Sequence, residues 1–127
     1  MSTQEIASLL NLGPGVVEAN VYGVEIPGNE GRAGMAAIVV EPGFDPARLY
    51  AYVDDAMPSY AAPRFLRLVE NLSTTGTFKH VKGELRDEGW DLERVSDPLL
   101  VRDPGARSYV ELTPARAQAL QAGEWLV

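Results

Sequence analysis

One short apolar run constrains this sequence more than any other feature. Residues 35–40 read Met-Ala-Ala-Ile-Val-Val, and Pro42-Gly43 follows them. A strand that is apolar on both faces must be covered on both faces, so we predict a buried strand over residues 34–40. The run is far too short to cross a bilayer as a helix. It therefore favours a layered globular domain with structure packed on both sides of this strand.

Patterns around this strand indicate a mixed α/β fold. Apolar residues alternate over residues 17–24, as in a half-buried strand. Residues 27–31 read Pro-Gly-Asn-Glu-Gly and predict a turn, which would make the two strands an antiparallel hairpin. Asp45-Pro46 predicts the start of a helix, and a short strand follows over residues 65–69.

Further helix signals complete the order of elements. Ser2 and Glu5 have the spacing of a capping box, residues 80–88 carry apolar side chains at helical spacing, and Thr113-Pro114 opens a last helix. Weaker patterns indicate two more short strands, at residues 99–101 and 109–112. Together these elements favour a small mixed α/β sandwich with about three main strands flanked by helices. The patterns do not specify the strand order.

Composition limits the classes of function. At 127 residues the chain fits one domain, and its formal net charge of −7 argues against general nucleic-acid binding, which needs a basic face. Cysteine is missing, which excludes a thiolate metal site, and residues 2–5 do not open a signal peptide, so we expect a soluble cytoplasmic domain. Several basic residues nevertheless fall close together in the sequence: Arg64, Arg67, Lys79, His80, Lys82 and Arg86. The acidic residues on predicted helices fit solvated faces: Asp54, Asp55, Glu84, Asp87 and Glu88.

Three segments, in order, resemble one known family. Residues 21–28 read Val-Tyr-Gly-Val-Glu-Ile-Pro-Gly, residues 57–63 read Met-Pro-Ser-Tyr-Ala-Ala-Pro, and residues 75–79 read Thr-Gly-Thr-Phe-Lys. Glu-Gly-Trp follows at residues 88–90. The set is similar to the C-terminal domain of adenylate-forming enzymes, in the branch of very-long-chain acyl-CoA synthetases and fatty acid transport proteins. Three segments at matching spacing are a far more specific signal than any one of them.

The resemblance implies a piece of a two-step enzyme. Residues 1–127 would form a single C-terminal lid domain, and the N-terminal adenylation domain that holds ATP and the fatty acid would lie outside them. In that family, the fatty acid carboxylate attacks the α-phosphate of ATP, giving acyl-AMP and pyrophosphate, and the CoA thiolate then displaces AMP. ATP, Mg²⁺ and CoA would serve the full-length long- or very-long-chain fatty acid–CoA ligase, and none would bind tightly to this domain alone. We expect the isolated domain to be inactive, and peripheral membrane association of the full-length enzyme stays open.

By this resemblance Lys79 is the catalytic residue. Adenylation gathers negative oxygens in one place and needs a fixed cation, and a lysine is a compact point charge on a long stem. Thr75, Gly76 and Thr77 would position Lys79, since glycine allows turns that other residues resist. Without the motif, a solvated lysine after an ordinary hinge loop would be the preferred interpretation.

Arg32 and His80 carry weaker signals. Arg32, on a glycine-containing loop, is a candidate contact for the CoA phosphates, although a plain hairpin turn explains residues 28–32 equally well. His80 is the single histidine, so no triad or zinc site can be built around it, and we assign no metal ligand. Two other classes compete with the enzyme. They are a free-standing ligand-binding or regulatory module of the same fold, and a purely structural interaction domain.

Overall fold

The centre of the fold is one strand whose side chains are buried on both faces. In the computed structural model, which describes residues 2–26, 32–72 and 84–123, residues 35–38 are all inaccessible to solvent. Ala36 and Ile38 belong to one apolar cluster, and Met35 and Ala37 belong to another. The predicted strand, apolar on both faces, is therefore confirmed, and it is covered from both sides.

The described elements follow the predicted order. They are α1 (Thr3–Asn11), β1 (Val16–Glu25), β2 (Arg32–Val40), α2 (Pro46–Ala56), β3 (Phe65–Leu68), β4 (Leu99–Asp103), β5 (Ser108–Glu111) and α3 (Pro114–Gln121). Residues 84–88 are also helical. All five strands join one sheet, in which β4 and β5, the two short strands indicated by the weaker patterns, complete the expected set of about three main strands. The strand β4 was underestimated because it is short and places Arg102, a charged residue, at a buried position.

The sheet has the order β1-β2-β3-β4-β5. The pairing of β1 with β2 is antiparallel, as predicted, with Glu25 opposite Arg32; the turn predicted between them, residues 27–31, lies outside the described residues. The strands β2 and β3 are parallel, which requires a crossover connection, and α2 lies between them in the chain. The strands β3, β4 and β5 then pair antiparallel in succession.

Helices cover both faces of this sheet. On the first face, α1 contributes Ile6 and Leu10 to the apolar cluster, and α2 contributes Leu49, Tyr50 and Val53. On the second face, the cluster takes in Leu85 from helical residues 84–88 and two residues of α3, Ala117 and Leu120. The predicted mixed α/β sandwich is thus confirmed as three layers. Within the described ranges, no helix is long and apolar enough to cross a membrane.

The predicted helix caps are also confirmed. The Ser2 hydroxyl accepts from the Glu5 amide at 3.1 Å, and the Glu5 carboxylate accepts from the Ser2 amide at 3.2 Å. The Asp45 carboxylate accepts from the Ala47 amide at 3.0 Å, with Pro46 in the first turn of α2. These bonds satisfy backbone donors that have no partner inside the helix.

Candidate functional site

The residues predicted to carry the chemistry fall largely outside the described structure. Lys79 and its positioning loop, Thr75, Gly76 and Thr77, lie within residues 73–83, called below the Lys79 segment, and that whole segment lies outside the described residues. Arg32 begins β2 opposite Glu25, and its side chain is likewise outside what the structure describes. The site can therefore be built from the residues that flank the Lys79 segment.

The chain enters the Lys79 segment from the end of β3. The amide of Leu68 donates to the carbonyl of Pro98 at 2.9 Å, and the amide of Val69 donates to the carbonyl of Ile38 at 2.9 Å. Leu72, the last described residue before the segment, is half-buried against the second-face cluster. Backbone bonds and apolar contact thus fix the chain up to the segment.

On the far side, the chain leaves the Lys79 segment as a helix. Leu85 is buried in the second-face cluster, and the amide of Gly89 closes the helix by donating to the Leu85 carbonyl at 2.9 Å. Gly89 has a φ of +52°, a left-handed conformation that favours glycine at a helix end. The predicted helix over residues 80–88 is confirmed for residues 84–88, and residues 80–83 lie outside the described part.

Arg67 connects the two flanks. Its Nη1 lies 3.0 Å from Oε1 of Glu88, and its Nε lies 2.9 Å from Oδ2 of Asp97. The side chain of Arg67 is 11% exposed. Burial disfavours its charge, but the hydrogen bonds to Glu88 and Asp97 outweigh burial and raise the pKa of the guanidinium above its ordinary value. We call Arg67, Glu88 and Asp97 the flank ion cluster.

This cluster changes two interpretations of the sequence. Arg67 belongs to the group of basic residues that lie close together in the sequence. In the structure its guanidinium forms ion pairs with two carboxylates, so it does not add to a basic surface. Glu88, which fits a solvated helix face, points a carboxylate at Arg67 and is 28% exposed. Asp54 is exposed, as expected of a solvated helix face, and its Oδ1 also accepts from Nη2 of the buried Arg102 at 3.2 Å.

Buried polar groups lie beside the flank ion cluster. Ala37 pairs with Asn20 on one side and with Arg67 on the other, which puts Asn20 and Arg67 in one row across the sheet. The Tyr22 hydroxyl is buried, and burial raises its pKa, with Arg67 opposing the shift and Glu88 adding to it. Within the part of the chain that the structure describes, neither Tyr22 Oη nor Asn20 Nδ2 has a hydrogen-bond partner. The phenol therefore stays protonated and does not act as a base near neutral pH.

Trp90 ties this region to the end of β1. Its indole Nε1 donates to the carbonyl of Glu25 at 2.9 Å. The same ring stacks on Phe65, with centroids 5.0 Å apart and an interplanar angle of 6°. Trp90 is therefore a buried anchor of the second-face cluster. Glu25 also pairs with Arg32 at the start of β2. Glu25 therefore connects the residues that follow the Lys79 segment to the start of β2.

Metal-binding groups and cavities are the remaining features of the described residues that bear on ligand binding. Among these residues, no group of three or more His, Cys, Asp or Glu residues could hold a metal ion. An open cavity of about 140 Å³ lies where β2 ends and α2 begins, and it is lined in part by Glu41, Asp45 and Arg48. Two carboxylates there disfavour a phosphate ligand, and Asp45 already caps α2.

The sequence analysis missed the flank ion cluster, although one signal was present. Arg67 stands in a strand whose neighbours Phe65 and Leu66 are both inaccessible to solvent. A charged residue at an inward position of such a strand requires a partner of opposite charge. The sequence does not reveal which of its many carboxylates would reach Arg67.

Comparison with known proteins gives a consistent result. Residues 5–79 match the model of the family described as AMP-binding enzyme C-terminal domain. The chain is 48% identical over 125 residues to human long-chain fatty acid transport protein 3, covering 97% of this chain and 18% of that protein. The chain therefore spans about a fifth of the length of the curated relatives it matches.

Solved structures give the same fold. An ATP-bound RpMatB-BxBclM chimera superposes with a TM-score of 0.55 at 26% identity, over 67% of this chain and 18% of that one. The o-succinylbenzoate CoA synthetase of Bacillus subtilis, in complex with its acyl-adenylate intermediate, superposes with a TM-score of 0.58 at 24% identity, over 68% of this chain and 18% of that one.

Proposed function

This chain belongs to the family of AMP-binding enzyme C-terminal domains, and on that basis we propose that it is the C-terminal lid of an ATP-dependent fatty acid–CoA ligase. The observation that carries the proposal is the 48% identity with a long-chain fatty acid transport protein over 97% of the chain. Identity at this level, over almost every residue, supports a shared site as well as a shared fold. Since the chain spans 18% of that relative, the remainder of the enzyme would come from an N-terminal adenylation domain on the same polypeptide.

In this proposal Lys79 supplies the cation for the first step. The fatty acid carboxylate attacks the α-phosphorus of ATP, the bond to the β-phosphate oxygen breaks, and pyrophosphate leaves. Negative charge grows on the oxygens between the α- and β-phosphates, where a preorganised ammonium stabilises the transition state more than the ground state. The family match ends at Lys79, so the matched region includes this residue. Thr75, Gly76 and Thr77 would set the path of the backbone that presents it.

ATP and CoA are substrates of this reaction, and Mg²⁺ would neutralise the phosphate charge. Among the residues that the structure describes, no cluster of His, Asp or Glu side chains fits this ion. The binding of ATP by a related chimera supports ATP as the nucleotide.

The second step needs a different face of the lid. The CoA thiolate attacks the acyl carbonyl of acyl-AMP, and AMP leaves with the electron pair of the broken acyl–oxygen bond. We propose that the lid rotates between the steps, so that Lys79 withdraws and the region around Arg32 approaches CoA. Arg32 would then pair with a CoA phosphate through its guanidinium.

The test separates the two half-reactions. It uses the two-domain enzyme, meaning this domain joined behind an N-terminal adenylation domain, either its own or that of human long-chain fatty acid transport protein 3. We expect Lys79→Ala to slow acyl-adenylate formation, measured by pyrophosphate exchange, by a factor on the order of 10² to 10³, which is typical of losing one preorganised charge contact. Thioester formation from supplied acyl-AMP should be retained.

Lys79→Arg serves as the companion variant. It should also be slow in adenylation, because a planar guanidinium places its charge differently from a point ammonium. Equal losses in both half-reactions, or full activity of the arginine variant, would overturn the role of Lys79.

A further inference from the structure

The flank ion cluster closes the Lys79 segment at its base. Arg67 precedes the segment on β3, and Glu88 follows it on the helix. The Nη1 atom of Arg67 lies 3.0 Å from Oε1 of Glu88. Resting on the proposed role of Lys79, we propose that Arg67 is a positioning residue for the adenylation step. By holding Glu88 and Asp97 together, Arg67 sets the distance and orientation of the two flanks and thereby the place from which Lys79 acts.

The guanidinium is suited to this task by its shape. Arg67 uses Nη1 for Glu88 and Nε for Asp97, two donors on different edges of one rigid plane. Such a plane fixes the angle between its partners as well as their distances. A lysine ammonium at the same position has one charged atom and cannot hold two carboxylates in this geometry.

Stability alone does not account for an ion cluster here. Backbone bonds at Leu68 and Val69 hold the entry flank in the sheet, and the buried Leu85 and Trp90 hold the exit flank in the core, but these contacts do not join one flank to the other. A largely buried ion pair often stabilises a fold no more than apolar side chains of similar size, since removing the charges from water opposes their attraction. Apolar contacts do not fix the orientation of the groups that they bring together, whereas hydrogen-bonded ion pairs do. A loop that carries a catalytic group needs a fixed orientation.

Adenylation is sensitive to small displacements of such a group. The interaction of an ammonium with phosphate oxygens falls with distance, and a displacement near 1 Å at a reacting centre costs about 10²-fold in rate. The second half-reaction does not use Lys79 in the proposed function. Loss of the cluster should therefore affect the first step selectively, whereas loss of the fold would affect both.

The experiment compares Arg67→Met with Arg94→Gln in the two-domain enzyme. Arg94 is a matched control, because it also pairs with an aspartate, Asp87, at 2.9 Å, but on the surface with side chains 48% and 76% exposed. We expect Arg67→Met to slow pyrophosphate exchange about 10- to 100-fold while thioester formation from supplied acyl-AMP changes less than about two-fold. Arg94→Gln should change neither.

A double variant tests whether Arg67 acts through Lys79. If it does, adding Arg67→Met to Lys79→Ala should slow adenylation no further than Lys79→Ala alone. Additive losses would show that Arg67 contributes by another route and would overturn the proposal. Normal adenylation in Arg67→Met, with Lys79→Ala slow, would overturn the positioning role and leave the proposed function standing. A normal rate in Lys79→Ala would instead contradict the proposed function.

A second variant decides the matter if Arg67→Met does not fold. Glu88→Gln keeps the size of the side chain and an acceptor oxygen but removes the charge that faces Arg67. It should slow adenylation in the same selective way, by a smaller factor, with the melting temperature nearly unchanged. An equal decline of both half-reactions, or no decline of either, would overturn the proposal.

Discussion

The hydrogen bonds of two tyrosine hydroxyls show how burial decides what one hydrogen bond contributes to stability. Tyr109 donates its hydroxyl proton to the carbonyl of Pro63 at 2.7 Å, and the residue is 2% exposed. Tyr52 makes a bond of the same length, 2.7 Å, to the carbonyl of Leu9, but this tyrosine is only half-buried. Water can take the place of the Tyr52 hydroxyl and cannot reach Pro63. A buried acceptor without a partner carries a desolvation penalty, so the two bonds differ in what their loss costs.

The same substitution at both positions measures this difference. We expect Tyr109→Phe to lower the free energy of unfolding by about 1–3 kcal/mol, and Tyr52→Phe by about 0.5–1.5 kcal/mol. Urea titrations of both variants and the unaltered chain give the values, provided that the slope against urea is unchanged. Equal losses at the two positions would contradict the argument from burial.

For the candidate site, the sequence offers only what local motifs contain. The role of Lys79 stays a prediction, and it depends on residues 75–79 together with two other segments in order, because motif recognition needs only local order. Arg67 could be recognised as an inward charge, but its partners Glu88 and Asp97 lie 21 and 30 positions further along the chain. Which carboxylates reach a given guanidinium depends on how helix and sheet pack, and a pattern of single residues does not contain that information.

Helices and strands were predicted best where the signal is local. The helix α2 is an example: Asp45 caps it, Pro46 opens it, and Leu49 and Val53 face the core at helical spacing. The strand β4 is the opposite case. Leu99, Leu100, Val101 and Arg102 are all buried, so no alternation marks the strand, and pairing with β3 and β5 decides its conformation.

The cap of α2 gives a prediction at this scale. Asp45→Ala should lower the free energy of unfolding by about 1 kcal/mol, since the Ala47 amide loses its partner at the end of the helix. Asp45→Ser is the matched control, because a serine hydroxyl caps nearly as well as a carboxylate. Thermal or urea unfolding of the three chains would measure the effect. A serine variant as unstable as the alanine variant would show that the bond to Ala47 is not the cause.

At the scale of the whole molecule, the strand order could not be derived from the sequence. The antiparallel pairing of β1 with β2 is the one pairing that local sequence signals predicted. The parallel pairing of β2 with β3 depends on the crossover through α2, and β4 joins β3 only after the chain has passed through residues 84–98. Contacts of this range are set by the burial of both sheet faces together. The three-layer arrangement is therefore a property of the entire domain.

The last prediction is that the 127-residue chain is folded but catalytically silent by itself. Both faces of its sheet are covered by apolar clusters with helices packed on them, and local signals agree with the overall fold, so we expect one cooperative unfolding transition. Activity is another matter, because adenylation needs a concave site that encloses ATP and the fatty acid, and this chain corresponds to 18% of a relative. The chain, given ATP, Mg²⁺, CoA and palmitate, should form no palmitoyl-CoA, while the two-domain enzyme at the same concentration should form it. The cooperative melt is the control that separates a folded, inactive lid from an unfolded one. Thioester formation by the isolated chain would show that this domain contains a complete active site.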